Sequence, residues 1–462
     1  MKPFSIQDAC KWSGGTLLQG RGERFVNCVS TDTRTLQPGD LFVALRGEHF
    51  DGHDYAAVAA EKGAIAMLCD ERFDSSQVPA GLSLIRVEDT LGALHCLAAA
   101  YRKTLDLRVV GITGSNGKTS TKEMVAAALG VQFSVQKTEG NLNNHIGVPL
   151  TLLSLEESTE IAVIEMGMNH PGEIQPLAEM AAPDIGIVTG IGWVHVEAFD
   201  SRDGIAEEKG ALIRALSDDG FAVVNGDDPF LERTDHWTKA RIVRSGFNAK
   251  NSVKLSDMSA TEAGTRFKAS GAGESVEVSI PLIGAHMAAN AGLALAVAQV
   301  CGISLAAAAT GLKRLELPGG RLKLHQHQRG WILDDTYNAS PDSMVAGMDS
   351  LELIPGTGRR VALLGAMAEL GDYSVQLHHW VGVQAAQKQI DFLGVMGPDA
   401  KFYLAGAKSE GMDASQLELA ESHQEMAHAY LNQSEPTDVI FVKGSRSMAM
   451  ERVVSLLQAE GS

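Results

Sequence analysis

Beyond about residue 85 the chain alternates short, wholly apolar runs with stretches of helical periodicity. RVVGIT (108–113), IAVIEM (161–166), IGIVTG (185–190) and FAVVNG (221–226) are continuous rather than alternating, as parallel strands covered on both faces require. A second set, WILDD (331–335), VALLGA (361–366), FLGVMG (392–397) and VIFVKG (439–444), follows LPGGRL. Two α/β sheets are therefore predicted, with a break near residues 318–321. Between them, 252–280 alternates polar and apolar positions (SVKL, TRFKA, SVEVSI) and predicts a small antiparallel meander, inserted in the central domain. The charge-free segment 291–312 has about the length of a membrane span. Gly302 as a helix C′ residue and Ser304 as an N-cap divide it, predicting two buried soluble helices.

With 462 residues and 45% apolar composition, the chain is long enough for three domains at roughly 100–200 residues each. The expected architecture is α/β throughout. A small N-terminal α/β domain (1–85) precedes a central phosphate-loop domain (86–317), built on a mostly parallel sheet with helices and the antiparallel insertion. A C-terminal Rossmann-like α/β domain (318–462) completes the chain. The 39 Lys and Arg against 57 Asp and Glu give 39 − 57 = −18, which argues against nucleic acid or an anionic membrane as the main partner. Cys10, Cys28, Cys69, Cys96 and Cys301 are scattered and form no CxxC pair, so neither a disulfide framework nor a zinc site is expected. A cytoplasmic protein fits best, and MKPFSIQDACKWSGG carries no apolar signal segment.

The strand ends carry the chemistry. Thr113, Glu165, Asn225, Asp335 and Lys443 stand at or just past the carboxyl ends of predicted strands, the edge where open α/β sheets bind ligands. Two such edges facing each other enclose a site between domains. In GITGSNGKTS (111–120), Gly111, Gly114 and Gly117 let the backbone fold with its N–H groups turned inward, ahead of a helix N-terminus. Lys118 then reaches the β and γ phosphates, and Thr119 can ligate Mg²⁺. The usual pattern GxxxxGK(S/T) has glycine where this chain has Ile112, so the loop is a variant. Such a loop serves kinases, motors, switches and ligases alike. Glu165 is placed either to take Mg²⁺ or to face solvent. In GWVHVEAFDSRDGIAEEKGAL, a lone His195 is more often structural, and Glu207, Glu208 and Lys209 read as an exposed helix face.

Over nearly its whole length the chain resembles the Mur ligase family. The resemblance rests on DTR, PGDLFVALRGEHFDGHDY, GITGSNGKTSTKEM, TEGNLNNHIGVPLTLL, EMGMNHPGEI, DDTYNASPDSM, AMAELG and VKGSRSM. GNLNNHIGVP, NHPGEI, YNASPDSM and KGSRSM resemble the subfamily that adds a dipeptide. The resemblance implies an ATP-dependent ligase of cell-wall synthesis that activates a carboxylate as an acyl phosphate and joins it to an amine. Its substrates would be UDP-N-acetylmuramoyl-tripeptide and D-alanyl-D-alanine, and the enzyme would be a monomer. ATP would lie on Gly114, Ser115, Asn116, Gly117, Lys118, Thr119 and Ser120, with His286 and Asn290 near adenine and Asp335 near the ribose. Two Mg²⁺ are implied, one on Thr119 and Glu165 and a second helped by His195, with Lys209 carbamylated by CO₂ into a metal-binding anion. Arg321 would approach the phosphates when the C-terminal domain closes. The uridine diphosphate would lie on the N-terminal domain near Thr31, Arg34 and Arg46, with Asn141, Asn143 and Asn144 towards sugar and peptide. The dipeptide would meet Asn338, Lys443, Ser445 and Arg446.

Three positions depart from the family pattern: Met287 follows His286, Ala366 stands where an acid is common, and GAL follows Lys209. The alternatives are a sister ligase adding one amino acid, a nucleotide switch or motor, and a binding-only protein.

Overall fold

The computed structural model describes all residues except 80, 318, 328–329, 355–357 and 461–462. Pro318, the first residue of the expected break, lies outside the described residues.

RVVGIT forms the strand Arg108–Thr113 inside a nine-stranded sheet, flanked by Ile161–Glu165 and Ile185–Val188, both parallel to it. Val109, Val110 and Ile112 are fully buried, which is why the run carries no polar alternation. The chain leaves this strand to build Val135–Lys137 and Ile161–Glu165 on one side, then Ile185–Val188, Phe221–Asn225 and Arg241–Gly246 on the other. That reversal places Arg108–Thr113 at a topological switch point, where a crevice opens at the strand carboxyl ends.

The predicted meander exists as Val253–Thr261, Gly264–Gly271 and Glu274–Ile280, within the central domain as expected. Val253–Thr261 pairs in parallel with Arg241–Gly246, and the three strands extend the central sheet at its edge. Arg241–Gly246 went unpredicted because Arg241 and Arg244 interrupt its apolar run.

Segment 291–312 resolves into the helices Ala285–Val300 and Leu305–Leu312. Gly302 stands at φ +82°, and the Ser304 hydroxyl accepts from the Ala307 N–H. Ala285–Val300 packs against Lys118–Leu129 on one side and the sheet on the other, so it is apolar nearly all round.

The C-terminal sheet runs Lys323–His327, Gly330–Asp334, Asp438–Lys443, Arg360–Gly365, Phe392–Met396, Leu417–Ala420, antiparallel only at the first pair. The N-terminal sheet runs Thr16–Gln19, Ser83–Arg86, Ala66–Cys69, Leu41–Val43, Val29–Ser30. The helix Thr90–Arg102 packs against both Ile6–Ser13 and Gly147–Ser154, joining this sheet to the central one.

Candidate active site

The phosphate loop is built by contacts that exclude side chains. Gly114 has φ +148°, and a Cβ there would stand 1.9 Å from the Thr189 hydroxyl. Gly117 has φ +78°, and its Cβ would meet the Asn290 amide at 2.8 Å. Both conditions select glycine. Ile112, the residue in place of the usual glycine, lies in the strand with its side chain in the core, so the variant spacing leaves the loop itself intact. The Ser115 N–H donates to the Gly190 carbonyl at 2.8 Å, and the Thr189 hydroxyl donates to the Asn116 carbonyl at 2.5 Å. Helix Lys118–Leu129 starts at Gly117 with no side-chain cap, which leaves its first-turn N–H groups for an anion. Lys118 Nζ folds back onto the carbonyls of Gly114 and Ser115 at 2.8 and 3.2 Å. Burial pulls its pKa down, Glu165 opposes this, and the nearby Arg321 guanidinium adds to it.

Glu165 is 2% exposed. Its Oε1 accepts from the Asn143 amide at 2.8 Å and the Thr119 hydroxyl at 3.3 Å, whereas Oε2 is buried without a hydrogen bond. An orphaned carboxylate oxygen beside a hydroxyl is the donor set a hard cation needs, so the chain's own residues fit Mg²⁺ here. Among the described residues no three His, Cys, Asp or Glu side chains gather as a metal site; the hydroxyl of Thr119 falls outside that set.

The EEK stretch is not an exposed face. Of Glu207, Glu208 and Lys209 on the helix Arg202–Arg214, only Glu207 is exposed. Glu208 accepts from the N–H groups of Gly172 and Ile174, each at 2.8 Å, at the start of the helix Ile174–Ala181. Lys209 is 1% exposed, and no hydrogen bond or ion pair to a described residue holds its Nζ. Burial, and secondarily the charge of Lys118, push its pKa well below the usual lysine value, and Glu208 opposes this. Periodicity missed Lys209 because the helix packs on two sides.

His195 lies in the loop that follows Ile185–Val188, in the left-handed region at φ +52°. Its Nδ1 pairs at 2.6 Å with Glu369 of the C-terminal domain, and this hydrogen bond holds the Glu369 carboxyl below its usual range. Among the described residues, neither His195 nor Lys209 hydrogen-bonds to Thr119 or pairs with Glu165, so the four residues expected to bind metal form one contacting pair and two separate groups. Three further contacts tie the C-terminal domain to the same region. The Ser340 hydroxyl donates to Asn116 Oδ1 at 2.9 Å, the Trp193 N–H donates to Asp342 Oδ2 at 2.7 Å, and the Tyr373 hydroxyl donates to the Asp200 carbonyl at 3.1 Å. Sequence reasoning missed Asp342 and Glu369, whose partners are distant along the chain. AMAELG gave the only signal for Glu369.

Cations gather opposite the loop. The Arg321 guanidinium stacks 3.8 Å from the Tyr337 ring centroid, and its Nε is buried without a hydrogen bond. Lys443 pairs with Asp335, whose pKa is raised by burial against the pull of that lysine. His286 is lowered to about 4, first by burial and then by Lys443. Met287 places its sulfur 4.0 Å from the Asn290 amide, so this departure from the family pattern touches the expected adenine region. Ala366 is buried, and its carbonyl accepts from the Ser445 hydroxyl at 2.8 Å.

All of this surrounds one cavity of about 800 Å³ between the central and C-terminal domains. Ser115, Asn116, Gly117, Lys118, Thr119 and Ser120 line it, as do Asn141, Asn143, Asn144, Glu165, His195, His286, Asn290, Arg321, Asp335, Asn338, Lys443, Ser445 and Arg446. Four of the five strand-end residues are among its walls, Glu165, Asn225, Asp335 and Lys443; Thr113 is buried beneath the loop. Gly114 and Lys209 are not among its lining residues. Thr31, Arg34 and Arg46 lie apart from it on the N-terminal domain, where Arg34 pairs with Asp32, and Arg46 with Asp51 and Asp70.

Comparison with known proteins agrees along the whole chain. Residues 25–102 match the Mur ligase family catalytic domain, 112–298 the Mur ligase middle domain, and 320–446 the Mur ligase glutamate ligase domain. The UDP-N-acetylmuramoyl-tripeptide–D-alanyl-D-alanine ligase of Bacillus subtilis is 38% identical, with 97% of each chain covered. A crystal structure of MurF from Acinetobacter baumannii superimposes with a TM-score of 0.91 at 31% identity, covering 99% of both chains. The MurF ligase of Thermotoga maritima in complex with ADP gives a TM-score of 0.83 at 28% identity, covering 94% of this chain and 97% of that one. With its phosphate loop, domain order and fold all matched, this chain belongs to the Mur ligase family.

Proposed function

We propose that the chain is an ATP-dependent ligase that joins D-alanyl-D-alanine to UDP-N-acetylmuramoyl-tripeptide in peptidoglycan precursor synthesis, releasing ADP and phosphate. The observation that carries this reading is the shared cavity. A phosphate loop on one sheet edge faces Asn338, Lys443, Ser445 and Arg446 on the other, so a phosphorylated carboxylate and an incoming amine can meet between them. The relatives named for this reaction, similar over their full length, support it.

An oxygen of the tripeptide carboxylate attacks the γ-phosphorus of ATP, the bond to ADP breaks, and an acyl phosphate forms. The dipeptide amine then attacks the carbonyl carbon and loses a proton, and phosphate leaves. Lys118 and the first-turn N–H groups of its helix hold the β and γ phosphates, while Arg321 approaches from the closing domain. His286 and Asn290 flank the adenine, and Asp335 meets the ribose. The uridine diphosphate rests near Thr31, Arg34 and Arg46, with Asn141, Asn143 and Asn144 along the sugar and peptide. Thr119 and Glu165 would hold one Mg²⁺, and His195 would serve a second; bound there, the metal offsets the negative charge of the transferring phosphoryl group. Lys209 is read as a carbamate. Burial favours its neutral amine, the nucleophile that CO₂ requires, and the reaction releases one proton. The enzyme is read as a cytoplasmic monomer.

A ligation assay with substrates varied one at a time tests the reading. ADP and phosphate are expected only when tripeptide and dipeptide are both present, and not with D-alanine, D-glutamate or diaminopimelate in place of the dipeptide. Equal ATP turnover with either substrate omitted overturns it.

A further inference from the structure

Behind Glu165 lies an ammonium that the ligation chemistry does not use. Lys122, on the same helix as Lys118, has a side chain 1% exposed. Its Nζ donates to the Thr138 carbonyl at 2.6 Å, and lies 3.3 Å from Glu123 Oε1 and 3.8 Å from the orphaned Glu165 Oε2. The buried Thr138 also receives the Glu165 N–H on its hydroxyl at 2.9 Å, so Lys122 and Glu165 are fixed to one residue. Glu123 in turn pairs with Lys137. Two carboxylates, Glu123 and Glu165, thus face the two ammoniums Lys122 and Lys137, and these four groups balance before any ligand arrives.

We infer that Lys122 is a positioning residue that keeps Glu165 from capturing a free divalent cation, so that the metal enters only with the triphosphate. This rests on the reading of Thr119 and Glu165 as Mg²⁺ ligands. A cation reaching Glu165 comes close to the Lys122 ammonium, and like charges repel strongly where water is excluded. The phosphate oxygens reverse that balance by adding negative charge on the far side of the metal. The same ammonium keeps Glu165 oriented, with Oε1 turned to Thr119 and Asn143.

The test uses Mn²⁺ as probe, its binding followed by electron paramagnetic resonance on the full chain without nucleotide. Lys122→Met removes the charge and keeps the length of the side chain. Free Mn²⁺ is expected to bind at least about tenfold more tightly than to the unmodified chain, about 1.4 kcal/mol, while Lys122→Arg stays within roughly twofold. Lys137→Met lies at the open end of the cluster and shifts affinity the same way by less, so it carries the test if Lys122→Met does not fold. Unchanged free-metal affinity in both variants overturns the inference when Mn²⁺ with ADP still binds the unmodified chain in a Glu165-dependent way. If Glu165→Gln leaves Mn²⁺-with-ADP binding untouched, the metal reading itself fails.

Discussion

Replacing Asp342 with alanine tests whether contacts between the central and C-terminal domains hold the site closed. Asp342 lies in the first turn of the helix Pro341–Leu351 and accepts the Trp193 N–H at 2.7 Å, from a loop that also carries His195. A hydrogen bond to a charged acceptor contributes about 1.5–3 kcal/mol. The carboxylate is half-buried, so the lower end applies, about 1.5 kcal/mol, and the ratio of closed to open forms should fall about tenfold. If turnover needs the closed form, kcat/KM for the complete reaction drops by about that factor, with the larger share in kcat because the reacting groups are assembled only on closure. The helix N-terminus also loses a favourable charge of about 0.3–1 kcal/mol, but equally in open and closed forms, so it registers in the melting temperature and not in closure. Asp342→Asn keeps an oxygen acceptor and should lose only about threefold. Steady-state kinetics with all three substrates, paired with small-angle scattering in the presence of a non-hydrolysable ATP analogue, read both effects. An Asp342→Ala enzyme within twofold of the unmodified kcat/KM and equally compact would refute the reasoning.

Lys209→Ala should abolish ligation by a large factor and regain part of it with an added short-chain carboxylate, and ¹³C-labelled bicarbonate should give a carbamate resonance that the variant lacks. Gly117→Ala combines a left-handed backbone with a Cβ 2.8 Å from the Asn290 amide; it should raise the KM for ATP by roughly tenfold or more, from about 1–2 kcal/mol of strain, while circular dichroism stays unchanged. His286 has its pKa lowered from 6.5 to about 4, so in the window between those values the unfolded chain binds more protons. Stability attributable to this group is therefore complete above about pH 6.5 and is lost as pH falls towards 4. Because the ring partly faces the cavity, the loss is about 1–3 kcal/mol rather than the full value, and His286→Gln should show a flatter fall in denaturant midpoint over that range.

What the sequence made legible follows from which interactions are local. The apolar runs marked the central strands because those strands are covered on both faces, and the loop announced itself because its glycines are demanded by the backbone. Gly302 and Ser304 divided a membrane-length segment correctly because helix ends are written in single residues. Val135–Lys137 and Leu417–Ala420 were not legible, being short edge strands with little burial to impose a pattern. Lys209 and Glu208 were hidden for a different reason, since a charged side chain can leave the surface when a neighbouring helix offers N–H groups or the phosphate loop lies behind it. Glu369 and Asp342 stand inside motifs that the sequence marked, AMAELG and DDTYNASPDSM, but their roles were not legible because each acts on a partner more than a hundred residues away.

Gly192 gives that distance a practical meaning. A Cβ at this position would stand 2.4 Å from Asp342 Oδ2, so any side chain at 192 must push the carboxylate aside. Two positions in different domains are thereby bound to a joint choice that neither domain can make alone. A chimera grafting a relative's C-terminal domain onto this central domain would inherit one half of that choice without the other, and residue 192 is the one to exchange along with it.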